Sequence, residues 1–140
     1  MEDLAGKRVV VMGLGRFGGG VGAARYLHRR GADVLVTDLA DAEKLRDSLA
    51  ELEDLDLDYR LGEHNVSDFT TADLVVVNPA VDRRDNRFLR AAEAAGVPLT
   101  SEMRLLVEAA CTGEGRQRVI AVTGTAGKST TVAMIGHILE

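Results

Sequence analysis

Two glycine-rich stretches hold the residues of this chain best suited to chemistry. The first is GLGRFG, Gly13 to Gly18, which follows an apolar run and opens a helical pattern. In that setting Gly13 permits a tight turn, Gly15 lets a ligand approach the backbone, and Gly18 allows helix and strand to pack closely. The helix start offers unpaired N–H groups and about half a positive charge to an anion. Asp38 closes the next apolar run, where an acid that binds a ribose would fall. This constellation predicts a ligand built on a nucleoside diphosphate. The alternative is a glycine-rich turn kept for packing, which Gly19, Gly20 and Gly22 favour in part.

The second stretch is GTAGKST, Gly124 to Thr130. Here loop N–H groups would surround a β-phosphate, with Lys128 reaching the β- and γ-oxygens and Ser129 offering its hydroxyl to Mg²⁺. The longer form of such a loop places a glycine five residues before Gly127, where Val122 stands. The fit is therefore to a shorter variant that starts at Gly124 and runs through Thr125 and Ala126. The bland alternative is a surface turn capped by Thr130. Lys128 stands twelve positions before Glu140, so the loop is followed by less chain than a nucleoside-triphosphate site uses.

The elements that must position these loops alternate between strand and helix. Unbroken β-branched runs predict buried strands at Arg8–Gly13, Asp33–Asp38 and Asp73–Pro79, with shorter strands at Leu57–Gly62 and around Val97–Ser101. Helical spacing predicts Gly19–Gly31, Asp41–Leu55 (Leu45, Leu49 and Leu52 on one face), Asn86–Gly96 and a helix after Ser101, which can cap it. Residues 112–118 form a polar connector between a first domain, 1–111, and a second segment, 119–140, that contains the strand Val119–Val122, the loop and a helix. Such alternation predicts an α/β fold, a mainly parallel sheet with helices on both faces. Right-handed crossovers then bring every strand's carboxyl end, and with it the glycine loops, to one edge.

Composition narrows the function. A net charge of −5 over 140 residues argues against a general nucleic-acid or anionic-membrane binder. The longest apolar runs fall far short of the roughly 20 residues that span a bilayer. Cys111 is the single cysteine, so no internal disulfide forms, which fits a reducing cytoplasm. His28 is expected on a solvated helix face, and His137 is expected to carry no role. His64, in GEHN, is expected in a turn hydrogen bond, with a place at the ligand edge as the alternative. The loop DRRDNR, Asp82–Arg87, is expected to be exposed with internal ion pairs, with steering of a diphosphate as the alternative.

A dinucleotide-like fold followed directly by a loop of the form GTxGKST is an uncommon order of parts. With GKRVVVMGLGRFG, LGEHNVSDF, DLVVVNPAV and VIAVTGTAGKSTT, it resembles the Mur ligases of peptidoglycan synthesis, and among them the D-glutamate-adding branch. The resemblance implies a Rossmann-like first domain that grips a UDP-sugar, followed by the first strand, phosphate loop and helix of an ATPase domain. Gly13, Gly15, Arg16, Phe17 and Gly18 would lie against the diphosphate, Asp38 near the uridine end, and Asn78, Pro79 and Ala80 beside the uracil. Gly124 to Thr130 would bind ATP, with Lys128 catalytic at the transferring phosphoryl group and Ser129 on Mg²⁺. The implied reaction joins D-glutamate to UDP-N-acetylmuramoyl-L-alanine through an acyl phosphate in the cytoplasm. The full protein is expected to be monomeric, and this chain to be inactive and prone to self-association through its terminal segment. The sequence departs from the family at Ala126, at Asn78-Pro79-Ala80, at Leu39-Ala40 and at Arg16-Phe17, which suggests Phe17 on a ring and Arg16 on phosphate. Other readings are another Mur ligase of the pathway, an NAD(P)-binding oxidoreductase domain, and a nucleotide-sensing module without catalysis.

Overall fold

The computed structural model describes residues 3–15, 19–112 and 119–139. The chain divides into two compact units, Met1–Glu108 and Ala109–Glu140. In the first, strands β1 (Arg8–Met12), β2 (Asp33–Asp38), β3 (Asp58–Leu61), β4 (Leu74–Val77) and β5 (Leu99–Thr100) form one sheet in the order β3-β2-β1-β4-β5. Every pairing is parallel, and Val10 lies between Leu35 of β2 and Val75 of β4.

The pleat sends alternate residues to opposite faces. Val9, Val11, Val34, Val36 and Val76 pack with Val21, Ala24 and Leu27 of helix α1 (Gly19–Arg29). Val10, Met12, Leu35, Val75 and Val77 pack with Phe69 of α3 (Val66–Thr70) and with Leu89 and Ala92 of α4 (Arg87–Ala94). Both faces are thus covered, which is why β1 and β4 carry apolar residues without alternation. The α/β, mainly parallel arrangement expected from the sequence is the one found.

Local chemistry sets the ends of the helices. Gly31, at φ 77°, and the Ala32 N–H to Leu27 carbonyl bond finish α1. The Asn86 side chain accepts from the N–H groups of Phe88 and Leu89 and so caps α4. Ser101 Oγ accepts from Arg104 N and caps α5 (Glu102–Thr112) as expected. The helix expected over Asp41–Leu55 is shorter: α2 is Arg46–Ala50 with turns on either side. Beyond Glu51 the bonds run to the third residue back, from Leu52 to Leu49 and from Leu55 to Leu52, which winds the chain more tightly than an α-helix. Leu45 and Leu52 are buried regardless.

Within the second unit, α6 spans Lys128–Leu139 and begins inside the phosphate-type loop. The strand expected at Val119–Val122 is absent, since residues 119–124 join no ladder and Val119 and Ile120 stand more than half exposed. A β-strand exists through a neighbour, and the described residues of this unit provide none.

Candidate functional site

The carboxyl ends of β1, β2 and β4 meet in a loop held from several sides. Gly13 and Gly15 adopt φ values of 88° and 69°, a left-handed backbone that glycine takes most readily. The Gly13 N–H donates to the Thr37 carbonyl at 2.8 Å, and the Asn78 N–H donates to the Met12 carbonyl at 3.0 Å. Ser48, buried on α2, donates its hydroxyl to the Gly15 carbonyl at 2.9 Å. A Cβ on Gly13 would stand 3.0 Å from Asn78 Cβ, and one on Gly15 would stand 3.1 Å from Asn78 Nδ2, so both glycines serve a close approach.

Asp38 accepts the Leu14 N–H on Oδ2 at 2.9 Å, with Gly15 N at 3.4 Å, and the Ala40 N–H on Oδ1 at 2.8 Å. Its carboxylate therefore joins the glycine loop to its own turn. Asn78 Oδ1 accepts from Ala80 N at 2.9 Å, which fixes the amide and turns its Nδ2 donor toward Gly15.

These residues wall a cavity of about 610 Å³, lined by Gly13, Gly15, Asp38, Asn78 and Ala80 together with Met12, Leu39, His64, Val81 and Phe88. The structure thus brings together five of the positions singled out from the sequence. Pro79 is exposed and does not line the cavity. Arg16, Phe17 and Gly18 lie outside the described residues.

Two further features border the cavity. The loop Asp82–Arg87 has the expected ion pair of Arg84 with Asp82 at 3.3 Å, yet Asp82, Asp85, Asn86 and Arg87 also border the cavity. Its position just after the carboxyl end of β4 was the available signal. His64 lines the cavity, and its Nδ1 lies 2.6 Å from Thr37 Oγ1 on β2 rather than from a partner in its own turn. Its ring meets Phe69 and Phe88 edge-on at centroid distances of 5.8 and 5.1 Å. Burial pushes the imidazole pKa below its ordinary value, with the nearby Asp38 charge opposing.

In the second unit, Gly124 and Gly127 take φ values of 155° and 76°. Lys128 Nζ donates to the Gly124 carbonyl at 2.5 Å, closing the loop across its own mouth. Thr131 bonds the Gly127 carbonyl through both its N–H and its hydroxyl, each at 2.9 Å. Thr125, Ala126, Ser129 and Thr130 are exposed. Among the described residues, no group of three or more His, Cys, Asp or Glu side chains is placed to hold a metal, and no helix is long and apolar enough to cross a membrane.

Residues 7–101 match the family model described as Mur ligase MurD-like, N-terminal domain. Curated relatives named UDP-N-acetylmuramoylalanine–D-glutamate ligase include one from Roseiflexus sp. (strain RS-1), 47% identical over 99% of this chain and 28% of its own length. Another, from Trichlorobacter lovleyi, is 40% identical over 99% of this chain and 29% of its own. This chain therefore spans less than a third of the length of the relatives it matches. A solved pseudomurein peptide ligase type C from Methanothermus fervidus superposes with a TM-score of 0.59 at 27% identity, covering 95% of this chain and 26% of that one. A precorrin-2 dehydrogenase, SirC, shares the fold with a TM-score of 0.51 at 16% identity over 99% of this chain and 67% of its own. With the family model running from the start of β1 through the turn after β5, and the glycine loop, Asp38 and Asn78 gathered at one sheet edge, this chain belongs to the MurD-like Mur ligase N-terminal family.

Proposed function

We propose that the first unit is the substrate-gripping part of an ATP-dependent ligase that joins D-glutamate to UDP-N-acetylmuramoyl-L-alanine. The observation that carries this reading is the cavity at the carboxyl edge of β1, β2 and β4, in a chain that aligns along 99% of its length with a D-glutamate ligase. Gly13 and Gly15 present bare backbone to the cavity, which suits a diphosphate, and Asn78 Nδ2 supplies a fixed donor beside them. Arg16, Phe17 and Gly18 fall between Gly15 and α1 in sequence and belong to the same proposal, as do Pro79 and Ala80 beside the base.

The loop Gly124–Thr130 suits a nucleoside triphosphate: its two glycines open the backbone, and Ser129 and Thr130 are exposed. Lys128 would leave the Gly124 carbonyl to meet β- and γ-phosphate oxygens, and Ser129 would hold Mg²⁺. Bound ATP supplies the phosphoryl group that activates the substrate carboxylate. Lys128 stabilises the charge that develops on it. A nucleotide-activated substrate, ATP as the phosphoryl donor and the single free Cys111 favour a cytoplasmic setting for this reading.

Calorimetric titration of this chain with UDP-N-acetylmuramoyl-L-alanine, UDP and NAD tests the reading. Saturable binding of the two UDP compounds and none of NAD is the expected result. Binding of NAD alone would overturn it in favour of an oxidoreductase domain.

A further inference from the structure

His64 has a hydrogen-bond partner on one ring nitrogen only. Nδ1 faces Thr37 Oγ1 at 2.6 Å, and the same hydroxyl lies 3.3 Å from the Glu63 carbonyl. A hydroxyl carries one proton, and a carbonyl can only accept it. Both contacts are satisfied together in one way: Nδ1–H donates to Thr37 Oγ1, and Thr37 donates to the Glu63 carbonyl. Thr37 is fully buried, so no water supplies a substitute partner from its own side.

The proton on Nδ1 leaves Nε2 as a bare acceptor. Among the described residues the one sealed side-chain polar atom without a partner is Glu102 Oε2, so Nε2 is not sealed. His64 lines the 610 Å³ cavity, and with Nδ1 taken by Thr37 its Nε2 is the ring nitrogen left for a ligand there. The edges of Phe69 and Phe88, at interplanar angles of 84° and 77°, hold the ring in this setting.

We propose that His64 is a base-reading residue, whose Nε2 accepts the N3–H of the uracil ring and so selects uridine over cytidine diphosphate compounds. The inference rests on the cavity being the UDP site. Uracil presents N3–H as a donor, whereas cytosine presents N3 as a lone pair, which would oppose Nε2. A pyrimidine that lacks the donor leaves two acceptors facing each other in a half-closed space, the arrangement that polar sites reject most strongly.

Two measurements on the 140-residue chain test the assignment. Nitrogen-15 NMR of the histidine ring at neutral pH, with His64 assigned by its loss in His64→Gln, should show the proton on Nδ1. A proton on Nε2 would overturn the proposal whatever the ligand. Calorimetry with UDP, CDP and N3-methyl-UDP should then show UDP bound at least about tenfold more tightly than either analogue. In His64→Leu the preference should fall below about threefold, and Thr37→Val, which spares the ring, should also reduce it. Equal binding of all three by the unmodified chain would overturn the base reading and leave the UDP site standing. Binding of none would overturn the site and this inference with it.

Discussion

Asp38 commits both carboxylate oxygens to backbone N–H groups of Leu14, Gly15 and Ala40. Its spacing from the glycine loop was readable in the sequence as the position of a ribose-binding acid, but spacing gives place and not partners. Asp38→Asn keeps the size and can still accept on one oxygen, while turning a donor toward the Leu14 N–H. Loss of a charged hydrogen bond of this kind costs about 1.5–3 kcal/mol. The expected outcome is a lower urea midpoint together with weaker UDP binding, and an unchanged midpoint would show that the loop does not depend on this clamp. His64 makes a second residue-scale prediction. Burial holds its pKa below the ordinary imidazole value of 6.5, so between that value and its folded pKa the unfolded chain binds more protons. Stability therefore rises with pH in that window, and is lost as pH falls from about 6.5 through the folded pKa. Urea midpoints between pH 7.5 and pH 5.5 should fall more steeply for the unmodified chain than for His64→Gln, and parallel slopes would contradict this.

At the scale of elements, two contacts hold helices to the sheet more firmly than hydrophobic area alone. A Cβ on Gly20 would fall 2.6 Å from Leu14 Cα and 2.7 Å from the Gly13 carbonyl, all backbone that cannot swing aside. Gly20→Ala should thus push α1 off β1, at a cost of about 1–3 kcal/mol or more despite alanine's better helix propensity. A rise in thermal midpoint would refute this. On the opposite face, Asp68 of α3 is buried and meets Arg60 Nε at 2.5 Å and Arg8 at 3.4 Å. Asp68→Ala leaves the partly exposed Arg60 with only Glu63, at 3.8 Å, so stability should drop by about 1–3 kcal/mol, read as a lower urea midpoint. The strands themselves were legible, because Val9–Val11 and Val75–Val77 carry β-branched residues on both faces. The leucines at 45, 49 and 52 were read correctly as buried or partly buried and wrongly as one long helix, since successive tight turns put side chains on one face much as a helix does. Helix α3 was not foreseen at all. Five residues are too few to show a period, and its one signal was Asn65 capping Ser67 N.

Across the whole molecule the two units differ in how their helices are supported. The order β3-β2-β1-β4-β5 follows from right-handed crossovers, and it sandwiches β1, β2 and β4 between covered faces. Among its described residues the second unit shows no such core: α6 has no buried residue, and Val132, Met134, Ile138 and Leu139 are more than half exposed. Its twelve residues are at the length where an isolated helix is marginal in water, about 12–15 residues, and Gly136 weakens it further. Its sequence pattern was legible as a helix because propensity and capping are local. The unpaired state of Val119–Val122 was not, because a strand depends on a neighbour that its own residues do not specify. Native-state hydrogen exchange should therefore separate the units sharply. Amides of β1 and β4 should exchange through global opening, whereas those of α6 should exchange by local fraying with little protection. Strong protection of α6 that grows with protein concentration would instead mean that copies of the chain cover its apolar surface. Strong protection independent of concentration would contradict the exposure seen for this helix.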